Sequence, residues 1–313
     1  MLTYVLLVLG FPALLVGAHY LVVGSGAIAQ RLGVSELVIG LTVVSLGTSA
    51  PELAVSVLSS LRGANDLALG NIVGSNMSNT LLIIGAAALM MPLKLQRATA
   101  RTELPMALGA TVLLGLLGND RLLRGLELTQ LSRLDGGVLL VALLVFGFYV
   151  YRASLVPSAE EEVRPLRPAL AVVMVLAGGL GLALGGHWIV EGSVATARAL
   201  GVSEALIGLT IVSVGTSLPE LATSMLAARR GSADMAVGNV IGSNLINLLW
   251  ILGVASLIDP IDFNEKLNAD LIALCAVTVL MMVIALRSRF SRISRPAGVL
   301  FLVLYAGYLV FLV

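Results

Sequence analysis

The sequence predicts an all-α integral membrane protein: ten transmembrane helices arranged as two inverted five-helix repeats. Three observations predict it. The composition is strongly apolar, the apolar stretches run near twenty residues, and the first half of the chain recurs in the second. Of 313 residues, 58% are hydrophobic and only 12% charged, and mean hydropathy is +1.02. A soluble domain carries about 25% charged residues, so this chain cannot cover itself with water-seeking side chains. Stretches of roughly 20 apolar residues match the length that crosses hydrocarbon. A net charge of +1 with no basic cluster gives no reason to expect nucleic acid. The single cysteine, Cys275, excludes an internal disulfide and any multi-cysteine metal site.

The expected spans run near 2–28, 37–61, 67–91, 103–118, 137–152, 169–191, 205–228, 235–258, 271–286 and 297–313. The first lacks a basic leader and a small-residue cleavage site, so it reads as a retained helix. Residues 1–152 form the first five-helix repeat and 169–313 the second, within one membrane domain. Between them, 153–168 reads as a solvated cytoplasmic linker, carrying Glu160, Glu161, Glu162 and three prolines. With the N-terminus outside, inner segments hold 13 of the 19 Lys and Arg residues and outer segments 6. The positive-inside rule therefore places both termini outside. Arg121, Arg124 and Arg133 on an outer loop run against that trend.

The duplication is gapless. Residues 17–85 align with 185–253 at a shift of 168, with 40 identities in 69 positions. GVSELVIGLTVVSLGTSAPELAVS is followed by ALGNIVGSNMSNTLLIIG; its partner GVSEALIGLTIVSVGTSLPELATS is followed by AVGNVIGSNLINLLWILG. Five spans per copy is an odd number, so the second copy enters the membrane from the opposite side. Inverted repeats of this kind place a substrate site near the midplane where they meet, on interrupted helices.

Eighteen residues are acidic, and only Glu52 and Glu220 sit deep within predicted spans. They are repeat partners. A mid-membrane carboxylate costs roughly 2.5–3.5 kcal/mol on insertion scales unless it is compensated. No Lys or Arg lies at that depth, so an external cation, or protons, must supply the compensation. Thr48 stands one turn from Glu52, and Ser45 one turn from Ser49. Thr216, Ser213 and Ser217 repeat this around Glu220. Pro51 and Pro219 remove backbone donors and free the carbonyls of Gly47 and Gly215. In the second motif Ser75 and Asn79 are one turn apart, as are Ser243 and Asn247. Asn71, Asn76, Asn239 and Asn244 read equally well as interhelical packing. The candidate set is all oxygen, which disfavours soft metals. Ca²⁺ accepts six to eight oxygens in flexible geometry, and two carboxylates balance one Ca²⁺. The same oxygens suit Na⁺.

GTSAPE with GTSLPE, and GNIVGSNMSN with GNVIGSNLIN, resemble the two signatures of the α-repeats in the cation/calcium antiporter superfamily, in its Na⁺/Ca²⁺ exchanger branch of prokaryotic type. The resemblance implies a ten-helix fold with a diamond of four ion-binding helices, across which helices 1 and 6 slide. It implies Ca²⁺ binding by Thr48, Glu52, Thr216 and Glu220. It implies sodium ligands at Ser49, Ser217, Ser75 and Ser243 and at main-chain carbonyls one turn before each Thr, at Ser45 and Ser213, with Asn79 and Asn247 completing the centre. Some relatives, the potassium-dependent branch among them, carry Asp where Asn247 stands, which weakens the case for K⁺ co-transport. The expected activity is secondary antiport of Na⁺ against Ca²⁺, with both as transported ions, no cofactor and no enzyme chemistry. No feature points to an obligate protein partner besides the lipid bilayer. The arginine-rich, lysine-poor composition suggests a prokaryotic inner membrane.

A H⁺/Ca²⁺ antiporter on the same fold is the alternative, with protons neutralising Glu52 and Glu220. The four signature serines favour sodium. An intramembrane enzyme is disfavoured because no HExxH, GxSxG or paired-aspartate motif is present. A passive channel would not call for paired broken helices. His19 and His187 are repeat partners for which proton sensing is conceivable, and a helix-packing contact is the simpler reading.

Overall fold

The computed structural model describes residues 2–61, 65–119, 129–156, 166–202, 212–287 and 292–312. The expected linker falls largely outside the described residues, as does the start of the expected span near 205–228. The chain is helical almost throughout. Helix α1 is Leu2–Leu32, α2 Glu36–Thr48, α3 Ala50–Leu61, α4 Leu67–Met90, α5 Ala98–Gly118 and α6 Arg133–Ser154. Then come α7 Pro168–Ala199, α8 Ser213–Thr216, α9 Leu218–Arg229, α10 Ala233–Ile258, α11 Leu267–Arg287 and α12 Arg295–Leu312. Among the described residues, seven helices are long and apolar enough to cross a membrane, and the bent pair α2/α3 makes eight.

Burial sorts these helices into a centre and a periphery. In α4 and α10, 78% of the apolar window is buried, against 28% in α6, α7 and α11. The centre is therefore α4 and α10 with the broken helices packed on them. α3 lies against α4, α9 against α10, α2 against α10, and α9 against α4.

α1 and α7 pack along their whole length. Three glycines at seven-residue spacing on each helix, Gly10, Gly17 and Gly24 with Gly178, Gly185 and Gly192, are repeat partners. A Cβ on Gly17 would lie 2.7 Å from the Leu182 nitrogen, and one on Gly178 2.5 Å from the Leu21 nitrogen. Gly10 meets Gly185 while Gly24 meets Ala171, so the helices run antiparallel with their backbones in contact. With 31 residues, α1 is about 46 Å long. It exceeds a hydrocarbon core of about 30 Å and must tilt or project.

The all-helical fold carries one small addition. Two short antiparallel pairs join the halves of the chain: β1 (Leu93–Lys94) pairs with β4 (Arg292–Ile293), and β2 (Gln130–Leu131) with β3 (Ile261–Asp262). Two residues per strand are too few to print a period of two in the sequence. Helix ends also differ from expectation. α6 begins at Arg133 because Ser132 and Asp135 form a capping box: Ser132 N donates to Asp135 Oδ2 at 2.9 Å, and Asp135 N to Ser132 Oγ at 3.3 Å.

Candidate functional site

The first signature breaks a span in each copy. α2 and α3 meet at a 51° bend, with Ser49 at φ −81°, ψ 9°. Ser217, between α8 and α9, has nearly the same dihedrals, φ −85°, ψ 4°. The prolines follow at once, where a new helix needs no rung from them. Glu52 and Glu220 thus stand in the first turn of α3 and α9. Amide groups at a helix start favour negative charge, so each break partly offsets its own carboxylate.

The second signature distorts a span without breaking it. Ser78–Ile83 in α4 and Ile246–Ile251 in α10 are π-helical, at equivalent places in the repeat. They carry Asn79 and Asn247. Segments of this kind recur at functional sites, and nothing in composition announces them.

These four elements bring the two copies into one polar cluster. Glu52 and Glu220 are both fully buried. Ser49 Oγ donates to Glu220 Oε1 at 3.0 Å, and Ser217 Oγ to Glu52 Oε1 at 3.4 Å. Ser243 Oγ adds a 3.5 Å bond to Glu220. Ser75 lies beside Glu52, its hydroxyl without a hydrogen-bond partner. Thr48 lies beside Glu220 and donates to Asn239 Oδ1 at 3.1 Å; Thr216 donates to Asn71 Oδ1 at 3.4 Å. Behind them, Asn71 Nδ2 donates to Ser56 Oγ at 3.1 Å and Asn239 Nδ2 to Ser224 Oγ at 2.9 Å. Each of these pairs maps onto its counterpart by exchanging the copies.

The amides interlock across α4 and α10. Asn79 Nδ2 donates to Asn244 Oδ1, and Asn247 Nδ2 to Asn76 Oδ1, both at 3.0 Å. Asn76 Nδ2 donates to the Asn244 carbonyl at 3.1 Å. Five buried oxygens in the cluster have no hydrogen-bond partner: Glu52 Oε2, Glu220 Oε2, Asn79 Oδ1, Asn247 Oδ1 and Ser75 Oγ. Four of the five can only accept when the carboxylates are ionised. Among the described residues, no Lys, Arg or His is buried. The cluster is therefore an all-oxygen environment suited chemically to a hard cation.

Two residues were expected to act through their main-chain carbonyls. Ser45 is buried, its carbonyl accepts from Thr48 Oγ1 at 3.3 Å, and its hydroxyl donates to the Thr42 carbonyl at 3.1 Å. The Ser213 side chain lies outside the described residues, although its backbone opens α8. Sequence reasoning left out Ser56 and Ser224; their identity in both copies was the available signal. It also left Glu103 at a span end. Glu103 is buried, accepts from the Tyr149 hydroxyl, and keeps Oε2 without a hydrogen-bond partner. His19 Nδ1 and Arg230 Nη2 stand 2.9 Å apart, a contact between α1 and the end of α9, and His187 lies 3.6 Å from Glu191 on its own helix. The first contact joins two helices, and the second lies within one.

Known proteins resemble the chain over nearly its whole length. The family described as sodium/calcium exchanger protein matches residues 2–152 and 170–313. The sodium/calcium exchanger MaX1 of Methanosarcina acetivorans is 30% identical, covering 99% of this chain and 98% of its own. The inner membrane protein YrbG of Escherichia coli is 33% identical, covering 100% and 96%. A solved structure of the sodium-calcium exchanger NCX_Mj, soaked with Na⁺ and Ca²⁺, superposes with a TM-score of 0.84 at 31% identity, covering 99% of this chain and 98% of that one.

Proposed function

The chain belongs to the sodium/calcium exchanger family, a family of membrane antiporters, and we propose that it exchanges Na⁺ for Ca²⁺ by alternating access at a midplane site. One observation carries the reading. Two fully buried carboxylates, from opposite copies of the repeat, each keep an oxygen without a hydrogen-bond partner, and no buried basic residue compensates them among the described residues. Charges in that position demand a counter-ion. Ca²⁺ takes six to eight oxygens. Glu52, Glu220, Thr48 and Thr216 are its ligands in this reading, with carbonyls freed at the two breaks. Ser49, Ser217, Ser75, Ser243, Ser45 and Ser213 serve Na⁺, and Asn79 and Asn247 complete the centre. Both ions are cargo rather than cofactors. Exchange follows because the two cations compete for one pair of carboxylates, and the empty, doubly negative site is too costly to reorient.

The architecture behind this reading is ten spans in two inverted repeats, 1–152 and 169–313, joined by a cytoplasmic linker at 153–168. α1, α2/α3, α4, α5 and α6 form one set; α7, α8/α9, α10, α11 and α12 form the other. The exchange-symmetric hydrogen bonds support a two-fold relation between the sets. The positive-inside count supports termini on the outer side of a prokaryotic inner membrane.

Proton coupling is the second reading, because the partnerless Oε2 atoms of Glu52 and Glu220 could each carry a proton in the return step. Proteoliposomes separate the two. The chain is reconstituted with Na⁺ inside, then with K⁺ or choline, and radiolabelled Ca²⁺ uptake is followed with pH clamped on both sides. Uptake that needs the outward Na⁺ gradient is expected. Uptake indifferent to Na⁺ and driven by a pH gradient would replace sodium with protons.

A further inference from the structure

A lateral groove of about 690 Å³ lies between α2, α6 and α10. Its floor is buried: Leu41, Ile246 and Phe146 are 1%, 3% and 6% exposed. Its rim is open, with Leu144 and Phe148 at 71% and 65%. Thr42 brings a hydroxyl to the lining, and that hydroxyl already donates to the Val38 carbonyl at 2.7 Å. The remaining lining is apolar apart from the ring groups of Tyr151 and Trp250. Its volume falls within the roughly 300–1,000 Å³ typical of built small-molecule sites.

We propose that this groove binds one acyl chain of a membrane phospholipid, seated against Trp250. Position argues for this occupant. The walls belong to membrane-spanning helices, and the medium outside such walls is bilayer hydrocarbon. An extended peptide entering there would bury unsatisfied backbone groups. From Leu143 to Tyr151 the α6 wall of the groove rises about 12 Å, at 1.5 Å per residue. It ends where Tyr151 is followed by exposed Arg152, the aromatic and basic pair that marks a membrane interface. A lipid whose headgroup rests at that interface can lower a chain directly into the groove. Beside Phe146, the floor is laid by residues of the π segment of α2, Gly40–Val44, and of that of α10. The chain would thus pack behind Asn247, one turn from Trp250. The proposal needs only that the protein spans a membrane, and it stands whichever ions are carried.

Trp188 and Trp250 are the only tryptophans, so each can be made the sole reporter. A Trp188→Phe protein is reconstituted in phosphatidylcholine brominated at mid-chain, and Trp250 fluorescence is read. Strong quenching is expected. Gly147 lines the groove, and an added Cβ there meets no atom within 4 Å, so Gly147→Leu grows into the groove rather than into the fold. It should remove most of the quenching. In the converse protein, Trp250→Phe, the same substitution should leave Trp188 quenching unchanged. Absent quenching of Trp250, or equal quenching with and without Gly147→Leu, would overturn the proposal. So would quenching that disappears as protein is concentrated in the vesicles, which would mean that a second copy covers the groove. If Gly147→Leu alters both reporters, Leu143→Ala decides: the wider groove must raise Trp250 quenching, and no rise contradicts the site.

Discussion

Glu52 and Glu220 each accept a hydrogen bond from a serine of the opposite copy, Ser217 and Ser49. Neither carboxylate is therefore positioned by its own helix alone. Asn239 and Asn71 hold Thr48 and Thr216 from behind. Replacing Asn239 by Ala leaves Ser224 without its amide donor and removes the Asn239 acceptor from Thr48. A buried group orphaned in this way costs about 1–3 kcal/mol. We expect Asn239→Ala to lower the thermal unfolding midpoint in detergent and to weaken Ca²⁺ uptake without abolishing it; an unchanged midpoint would mean that the amide is not structural. The carboxylates were legible in the sequence because acidic residues are rare in apolar spans and this pair is duplicated. Glu103 was not, because it stands at a span end and its burial depends on Tyr149 from another helix. Ser45 was named for its main-chain carbonyl, and its hydroxyl bonds back to its own helix at the Thr42 carbonyl, as helical serines do.

At the scale of elements, the two breaks were readable from Pro51 and Pro219, since proline dictates where a rung is lost. The π segments were not, because an extra residue in a helical turn has no composition of its own. The start of α6 was written in Ser132 and Asp135, but hydropathy overlooks a cap made by polar residues ahead of the apolar run. The glycine spacing on α1 and α7 makes a sharper statement. A Cβ on Gly178 would press on the Leu21 nitrogen at 2.5 Å, while one on Gly179 meets no atom within 4 Å. Gly178→Ala should therefore lower the unfolding midpoint and slow exchange. Gly179→Ala should be neutral or stabilising by about 0.5–1 kcal/mol, the helix preference of Ala over Gly. Equal effects from the two would show that α1 and α7 are not held at backbone contact.

For the whole molecule, the duplication carried the most information. A shift of 168 residues relates the residues around Glu52 to their counterparts around Glu220, from Ser49 with Ser217 to Asn79 with Asn247. The short strand pairs β1–β4 and β2–β3, which also join the halves, lie beyond the gapless match of 17–85 with 185–253, although β1 and β3 keep its shift of 168. The proposed placement of both termini outside is tested on the whole chain. With Cys275 replaced by Ser, a cysteine added at either end should react with an impermeant maleimide applied to intact cells; protection of both until lysis would invert the topology. The central claim is that one pair of carboxylates, one from each copy, holds Ca²⁺ in competition with Na⁺. Equilibrium binding of radiolabelled Ca²⁺ to the purified protein tests it most directly, in the parent chain and in Glu52→Gln and Glu220→Gln. We expect saturable Ca²⁺ binding that Na⁺ displaces, lost in both variants while their unfolding midpoints are retained. Binding that persists unchanged in either folded variant would contradict the account.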